Sequence, residues 1–166
     1  METLSKLPLT GSESLSFSYG QVIAYDAGEQ EPGSIWTDQH INQGFVRRPH
    51  SVGIRTLIQD GTATISVFRA EPASLEAYVR VISVPIELPS GVLRLEGPDE
   101  FPVERFVNVG VGVYRLTFCQ AINADGDIRI DIFVGATAEA DPRSSVLKAD
   151  GDLSGFGDLI ETGSVG

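Results

Sequence analysis

The sequence predicts an all-β domain, an antiparallel β-sandwich or flattened barrel of about eight strands with one short helix. Apolar residues recur at alternate positions along most of the chain, and turn residues interrupt these runs at short intervals. Only one brief stretch carries helical punctuation, and no long βαβ units interrupt the pattern.

The first run covers Ser14 to Asp26, where Leu15, Phe17, Tyr19, Ile23 and Tyr25 alternate with other residues. The helical stretch follows. Thr37 is a suitable N-cap, Asp38 suits the first turn, and Gly44 stands where a glycine ends a helix. Trp36, just before the cap, is expected to pack back on the core as a hydrophobic staple. Val52, Ile54, Thr56 and Ile58 form the next run, and Asp60-Gly61 reads as a hairpin turn into Ala63, Ile65 and Val67. Tyr78 to Ile86 is rich in β-branched residues, with Pro85 pointing to a sheet edge or a bulge. Shorter runs lie at Val92–Glu96 and Arg105–Val109. The clearest pair is last: Tyr114, Leu116 and Phe118 in one run, Ile128, Ile130, Ile132 and Val134 in the other. Asn123 to Asp127 supplies the turn between them. Phe17, Ile54, Ile65, Leu116, Phe118, Ile130 and Ile132 are expected to share one core.

Alternation stops near Ala136. Residues 1–138 are therefore read as one β domain and 139–166 as a flexible tail rich in Gly, Asp and Ser. With 166 residues, of which 42% are apolar and 21% charged, one packed domain is the expectation. No run approaches the roughly 18 apolar residues of a membrane span, and Met1 to Thr10 lacks the apolar block of a signal peptide. The single cysteine, Cys119, offers neither a disulfide framework nor metal-type spacing. The expectation is a soluble, cytoplasmic protein that stays off membranes.

Charge narrows the function classes. Twelve Lys and Arg against 23 Asp and Glu give a net charge of -11, which opposes nucleic-acid binding and favours basic partners. Between Lys6 and Arg47 there is no cation, yet Glu13, Asp26, Glu29, Glu31 and Asp38 all fall there. Glu96, Asp99, Glu100 and Glu104 bracket a second loop, and further acids follow from Glu139 onward.

Catalytic motifs are scarce. His40 and His50 are the only histidines, and no Gly-x-Ser-x-Gly elbow accompanies them. Cys119 sits mid-strand, as a small buried hydrophobe does. Asp131 shares a strand face with Arg129, which favours a surface ion pair over an acid–base role. Gly110-Val111-Gly112 and Gly155-Phe156-Gly157 lack the remaining residues of phosphate loops. Asp125-Gly126-Asp127 and Asp150-Gly151-Asp152 lack the closing glutamate of a calcium loop. No catalytic residue, metal site or cofactor is expected.

One block is more specific: Leu15-Ser16-Phe17-Ser18-Tyr19-Gly20-Gln21-Val22, then Ile35-Trp36-Thr37-Asp38-Gln39-His40-Ile41-Asn42-Gln43-Gly44-Phe45. A tyrosine-centred strand, a polar loop, Trp-Thr-Asp, then Ile, Gly and an aromatic resembles the competence protein J (ComJ) family. The similarity continues more weakly to about Gly135. The resemblance implies a small β-rich protein that binds and inhibits the nuclease through which DNA enters competent bacteria. No inhibitory residues transfer position by position. The acids Glu29, Glu31, Asp38, Asp99 and Glu100, from the charge pattern, and Trp36, from the Trp-Thr-Asp block, are the candidate contacts to a basic nuclease cleft. Two alternatives stay open: a sandwich module binding a carbohydrate or other small ligand through Tyr19, Tyr25 and Tyr78, and a glycosidase with two inward carboxylates.

Overall fold

Two β-sheets pack face to face in the computed structural model, which describes residues 6–8, 14–97, 105–154 and 159–166. The larger sheet runs β1 (Lys6–Leu7), β6 (Gly61–Phe68), β11 (Ile128–Ala136), β10 (Gly112–Ile122), β7 (Arg80–Leu88), β12 (Ser145–Lys148). A further strand, β2 (Ser14–Phe17), lies against β6 beside β1. The smaller sheet runs β4 (Phe45–Arg48), β5 (Ser51–Arg55), β3 (Gln21–Asp26), β8 (Val92–Glu96), β9 (Phe106–Asn108). Among the described residues every strand pairing is antiparallel except β6 with β11, which is parallel from Ala63 opposite Ile128 to Phe68 opposite Phe133. The fold is an open sandwich, with one short helix among the described residues, α1 (Asp38–Gln43).

The inner faces meet in one core, and all seven residues expected to share it do so. The β10–β11 hairpin also forms as expected. Ile122 faces Ile128, Asn123 N–H donates to the Asp127 carbonyl at 2.7 Å, and Gly126 takes φ of 84°. Helix α1 has its Thr37 cap, with Thr37 Oγ1 accepting from His40 N–H and His40 Nδ1 accepting from Thr37 N–H. At the other end Gly44 has φ of 90°, and a Cβ there would stand 2.8 Å from Ile82 Cδ1. Only glycine satisfies both the left-handed turn and that close approach. Pro85 faces Arg115 on β10, while β12 ends opposite Ser83, so its missing N–H disrupts no ladder on that side.

Three expectations change. The run Ser14–Asp26 is two strands in opposite sheets, split where Tyr19 and Gly20 both take positive φ, 57° and 66°. The core residues shift from Leu15 and Phe17 to Val22 and Ala24, a change of parity that simple alternation hides. Asp60-Gly61 is not a hairpin turn: residues 56–60 carry the chain from β5 in the smaller sheet to β6 in the larger.

The third change concerns the tail expected to be loose. Strand β12 pairs with the edge of β7, and Leu153 enters the core beside Gly44. Ser154 N–H donates to the Asn42 carbonyl, and the buried Gln43 amide bonds both the N–H and the carbonyl of Ile160. His40 Nε2 lies 3.0 Å from the Thr162 carbonyl, and Ser34 bridges to Val165. A segment held by polar side chains and by three scattered apolar residues, Val146, Leu153 and Leu159, needs no apolar period, which is why alternation misses it.

Candidate functional site

A groove of about 400 Å³ opens at one end of the smaller sheet. Its walls come from the β2–β3 turn (Tyr19, Gly20, Gln21), from Trp36 and Ile41 at the start of α1, and from Arg55 through Gln59. Gln21, Ile23, Tyr25 and Gly53 alternate with core-facing Val22, Ala24, Val52 and Ile54, so they point to the outer face. Trp36 lies on that face, half-buried, and donates its indole N–H to Gln21 Oε1 at 2.9 Å. A Cβ at Gly53 would stand 3.0 Å from Trp36 Cζ2 and 2.9 Å from Val46 Cγ1, so the bare backbone at 53 lets the indole settle. Trp36 is therefore a groove wall and not part of the inter-sheet core.

The floor is tied to the larger sheet. The guanidinium of Arg80, wholly buried, donates from Nη1 to the Arg55 carbonyl at 2.9 Å and to that of Thr56 at 3.4 Å. Gln120 donates to the same Arg55 carbonyl and accepts from Leu57 N–H at 3.2 Å. Arg55 Nη1 donates to the carbonyls of Ile41 and Asp152, joining helix, groove and tail. Tyr19 stands at the rim with 73% of its surface exposed and φ of 57°. A left-handed non-glycine residue costs roughly 1–2 kcal/mol, and Asp60 Oδ1 helps hold it by accepting from Tyr19 N–H at 3.3 Å.

The acids divide by role. Asp26 is buried and accepts from Gly28 N–H and from both the N–H and the hydroxyl of Ser90. Glu96 accepts from Tyr25 O–H at 2.5 Å, and Asp131 from Tyr78 O–H at 2.7 Å. Burial, then the adjoining carboxylate, pushes both phenols well above their ordinary range. Asp131 is thus buried, contrary to the surface pair expected, with Arg129 Nε at 3.3 Å as its second partner. Burial, then the Asp131 charge, raises the Cys119 thiol to about 12, which leaves it unreactive. Tyr25 and Tyr78 are buried in different sheets' neighbourhoods, so the three tyrosines form no common face.

The four candidate contacts that fall among the described residues, Glu29, Glu31, Trp36 and Asp38, do not form one patch. Trp36 lines the groove, and exposed Asp38 begins the helix turn that presents Ile41 to it. Glu29 and Glu31 belong to the preceding loop, which Arg48 fastens through Glu29, the Glu31 and Gly33 carbonyls and Ser34 Oγ. That arginine pairs with Ser51 at the Tyr25 end of the sheet, whereas the groove is at the Gln21 end. Four strand residues separate the two ends by roughly 13 Å. Asp99 and Glu100 lie outside the described residues. Asp60 and Asp152, which sequence reasoning passed over as site residues, are exposed and each bonds a groove-lining residue, Asp60 through its carboxylate to Tyr19 N–H and Asp152 through its backbone carbonyl to Arg55. Asp38, Asp60 and Asp152 have no ion pair among the described residues, whereas Arg47, Arg48, Arg80 and Arg115 are paired with Glu161, Glu29, Asp150 and Glu139. Among the described residues no cluster of His, Cys, Asp and Glu could hold a metal ion, and no helix is long and apolar enough to cross a membrane.

Two tail carboxylates set an acid limit. Burial alone would raise Asp150 and Glu161, but Arg80 on the first, and Ser144 with Arg47 on the second, hold both below their ordinary values. Carboxyls depressed in the folded state add stability that is complete above the unfolded value and is lost as pH falls through the folded one. The tail should therefore stay docked at neutral pH and release below about pH 4. Hydrogen exchange of residues 144–154, corrected for intrinsic rate, should show protection lost there before that of β10 and β11. Equal protection of all three down to acid unfolding would contradict it.

Fold and groove together define an acidic two-sheet β-sandwich with an open, aromatic-walled surface groove. The family model of competence protein J (ComJ) matches residues 14–143, and the chain belongs to that family. Among solved structures it is similar to ComJ from Bacillus subtilis, an inhibitor of the DNA-degrading activity of NucA. That match has a TM-score of 0.68 and 16% identity, and covers 82% of this chain and 100% of that one. It is also similar to a protein described as crocagin biosynthetic gene J, with a TM-score of 0.50, 16% identity, and coverage of 80% and 98%. No curated protein sequence matches the chain.

Proposed function

We propose that the protein binds a DNA-degrading nuclease and silences it without catalysis of its own, by covering the nuclease's basic DNA-binding cleft. Membership of the ComJ family carries this reading, and the Bacillus subtilis relative described as inhibiting NucA supports it. The charge distribution supports it further. A nuclease needs cations along the phosphodiester backbone, and this chain carries -11 with several of its own arginines already paired. Complementary charge then speeds encounter and disfavours wrong partners.

The test is cleavage of plain duplex DNA by a non-specific nuclease purified from the source organism, titrated with this protein. Inhibition that saturates near one-to-one and spares an unrelated nuclease is expected. Weak, equal inhibition of both would favour the second reading, a small-ligand module, which the groove volume of about 400 Å³ admits.

A further inference from the structure

We infer that the groove between Tyr19, Trp36 and Ile41 is the anchor point of the partner, taking an apolar or aromatic side chain that lysines or arginines flank. This names the contact surface of the inhibitor reading and rests on it. Tyr19 is 73% exposed and Ile41 40% exposed, and Trp36 presents the remainder of an indole whose N–H is already bonded to Gln21. Leu57 and Ile58 line the opposite wall. Tryptophan, tyrosine and arginine in a preformed depression are the composition of binding hot spots.

Two further observations separate this surface from an ordinary exposed apolar patch. Tyr19 is held in a left-handed conformation that its bulk disfavours and its exposure does not reward, and this aims an unpacked ring over the groove. The margin carries three acids beside one cation, Arg55: Asp38 precedes Ile41 by one helical turn, the Asp60 side chain holds Tyr19 N–H, and Asp152 adjoins Arg55 through its backbone carbonyl. These three acids are exposed and lack ion pairs among the described residues, so the complementary rim is cationic. The occupant is therefore a basic protein surface with a central apolar side chain. The floor, fixed by Arg80 and Gln120, needs little rearrangement to receive it.

The groove and its rim should act on different rate constants. The experiment measures association and dissociation of the nuclease named above on immobilised protein, for the unaltered chain and the variants Tyr19→Gly, Ile41→Ala and Val111→Ala. Tyr19→Gly is the informative change, because glycine relieves the positive φ and should leave melting temperature equal or higher. It is expected to raise the dissociation rate by roughly 30-fold or more with little change in association. Ile41→Ala should act in the same direction. Val111, 74% exposed beyond the far end of β7, is the control and should change neither rate. Unchanged dissociation in both groove variants, with the unaltered chain still inhibiting one-to-one, would overturn the groove and leave the inhibitor reading standing. Absence of any complex with the unaltered chain would overturn both.

Discussion

Asp150→Ala is expected to lower stability by about 3–5 kcal/mol, because it leaves a buried guanidinium without its counter-ion. Arg80 is 1% exposed at its side chain and gives Asp150 two bonds, Nε to Oδ1 at 2.8 Å and Nη2 to Oδ2 at 3.0 Å. Only the Arg55 and Thr56 carbonyls would remain to it. At this chain length the melting temperature should fall by roughly 6–20 °C. Deleting residues 140–166 should cost at least as much, since it also withdraws Leu153 from the core and the bonds from Gln43 and His40. Pairing Arg80→Met with Asp150→Leu should recover much of the loss, because the desolvated pair is replaced by packed apolar groups. Thermal unfolding of the three variants decides the matter. A shift below about 3 °C for Asp150→Ala would show that the tail is not docked through this pair.

Neutralising the groove's acidic margin should slow encounter with the nuclease. The combined change of Asp38, Asp60 and Asp152 to Asn is expected to reduce the association rate roughly tenfold or more at low salt and to flatten its salt dependence. All three side chains are exposed, so the fold should be unaffected. A second variant, Asp99→Asn with Glu100→Gln, asks the same of the other acidic cluster in the sequence. Stopped-flow association at two ionic strengths distinguishes them. If only the second variant slows encounter, the basic cleft meets that cluster and not the groove.

How much of this was legible depended on whether a feature repeats. Strands β10 and β11, the Thr37–Gly44 helix and the shared core follow from period, cap and turn chemistry, and these are local signals. The split at Tyr19-Gly20 was hidden because each half alternates, and only a parity change at Val22 marks the passage between sheets. The parallel β6–β11 pairing joins segments distant in sequence and has no local sign. The tail fails as a pattern because its anchors are side chains elsewhere: Arg80, Gln43, His40 and Arg47. Of the site, Trp36 and Asp38 were visible as a motif, and the acids Glu29 and Glu31 as a run without cations. Asp60 and Asp152 join the groove only through the fold, by way of Tyr19 and Arg55.

Covering the nuclease's DNA-binding cleft makes a competitive mechanism, and displacement of DNA tests it most directly. A fluorescent duplex is bound to the nuclease under conditions that allow binding but not cleavage, and this protein is then titrated in. Release of the duplex should track complex formation, with an apparent affinity that weakens in proportion to added DNA. A ternary assembly, in which the duplex stays bound while cleavage is blocked at saturating inhibitor, would contradict occlusion of the cleft.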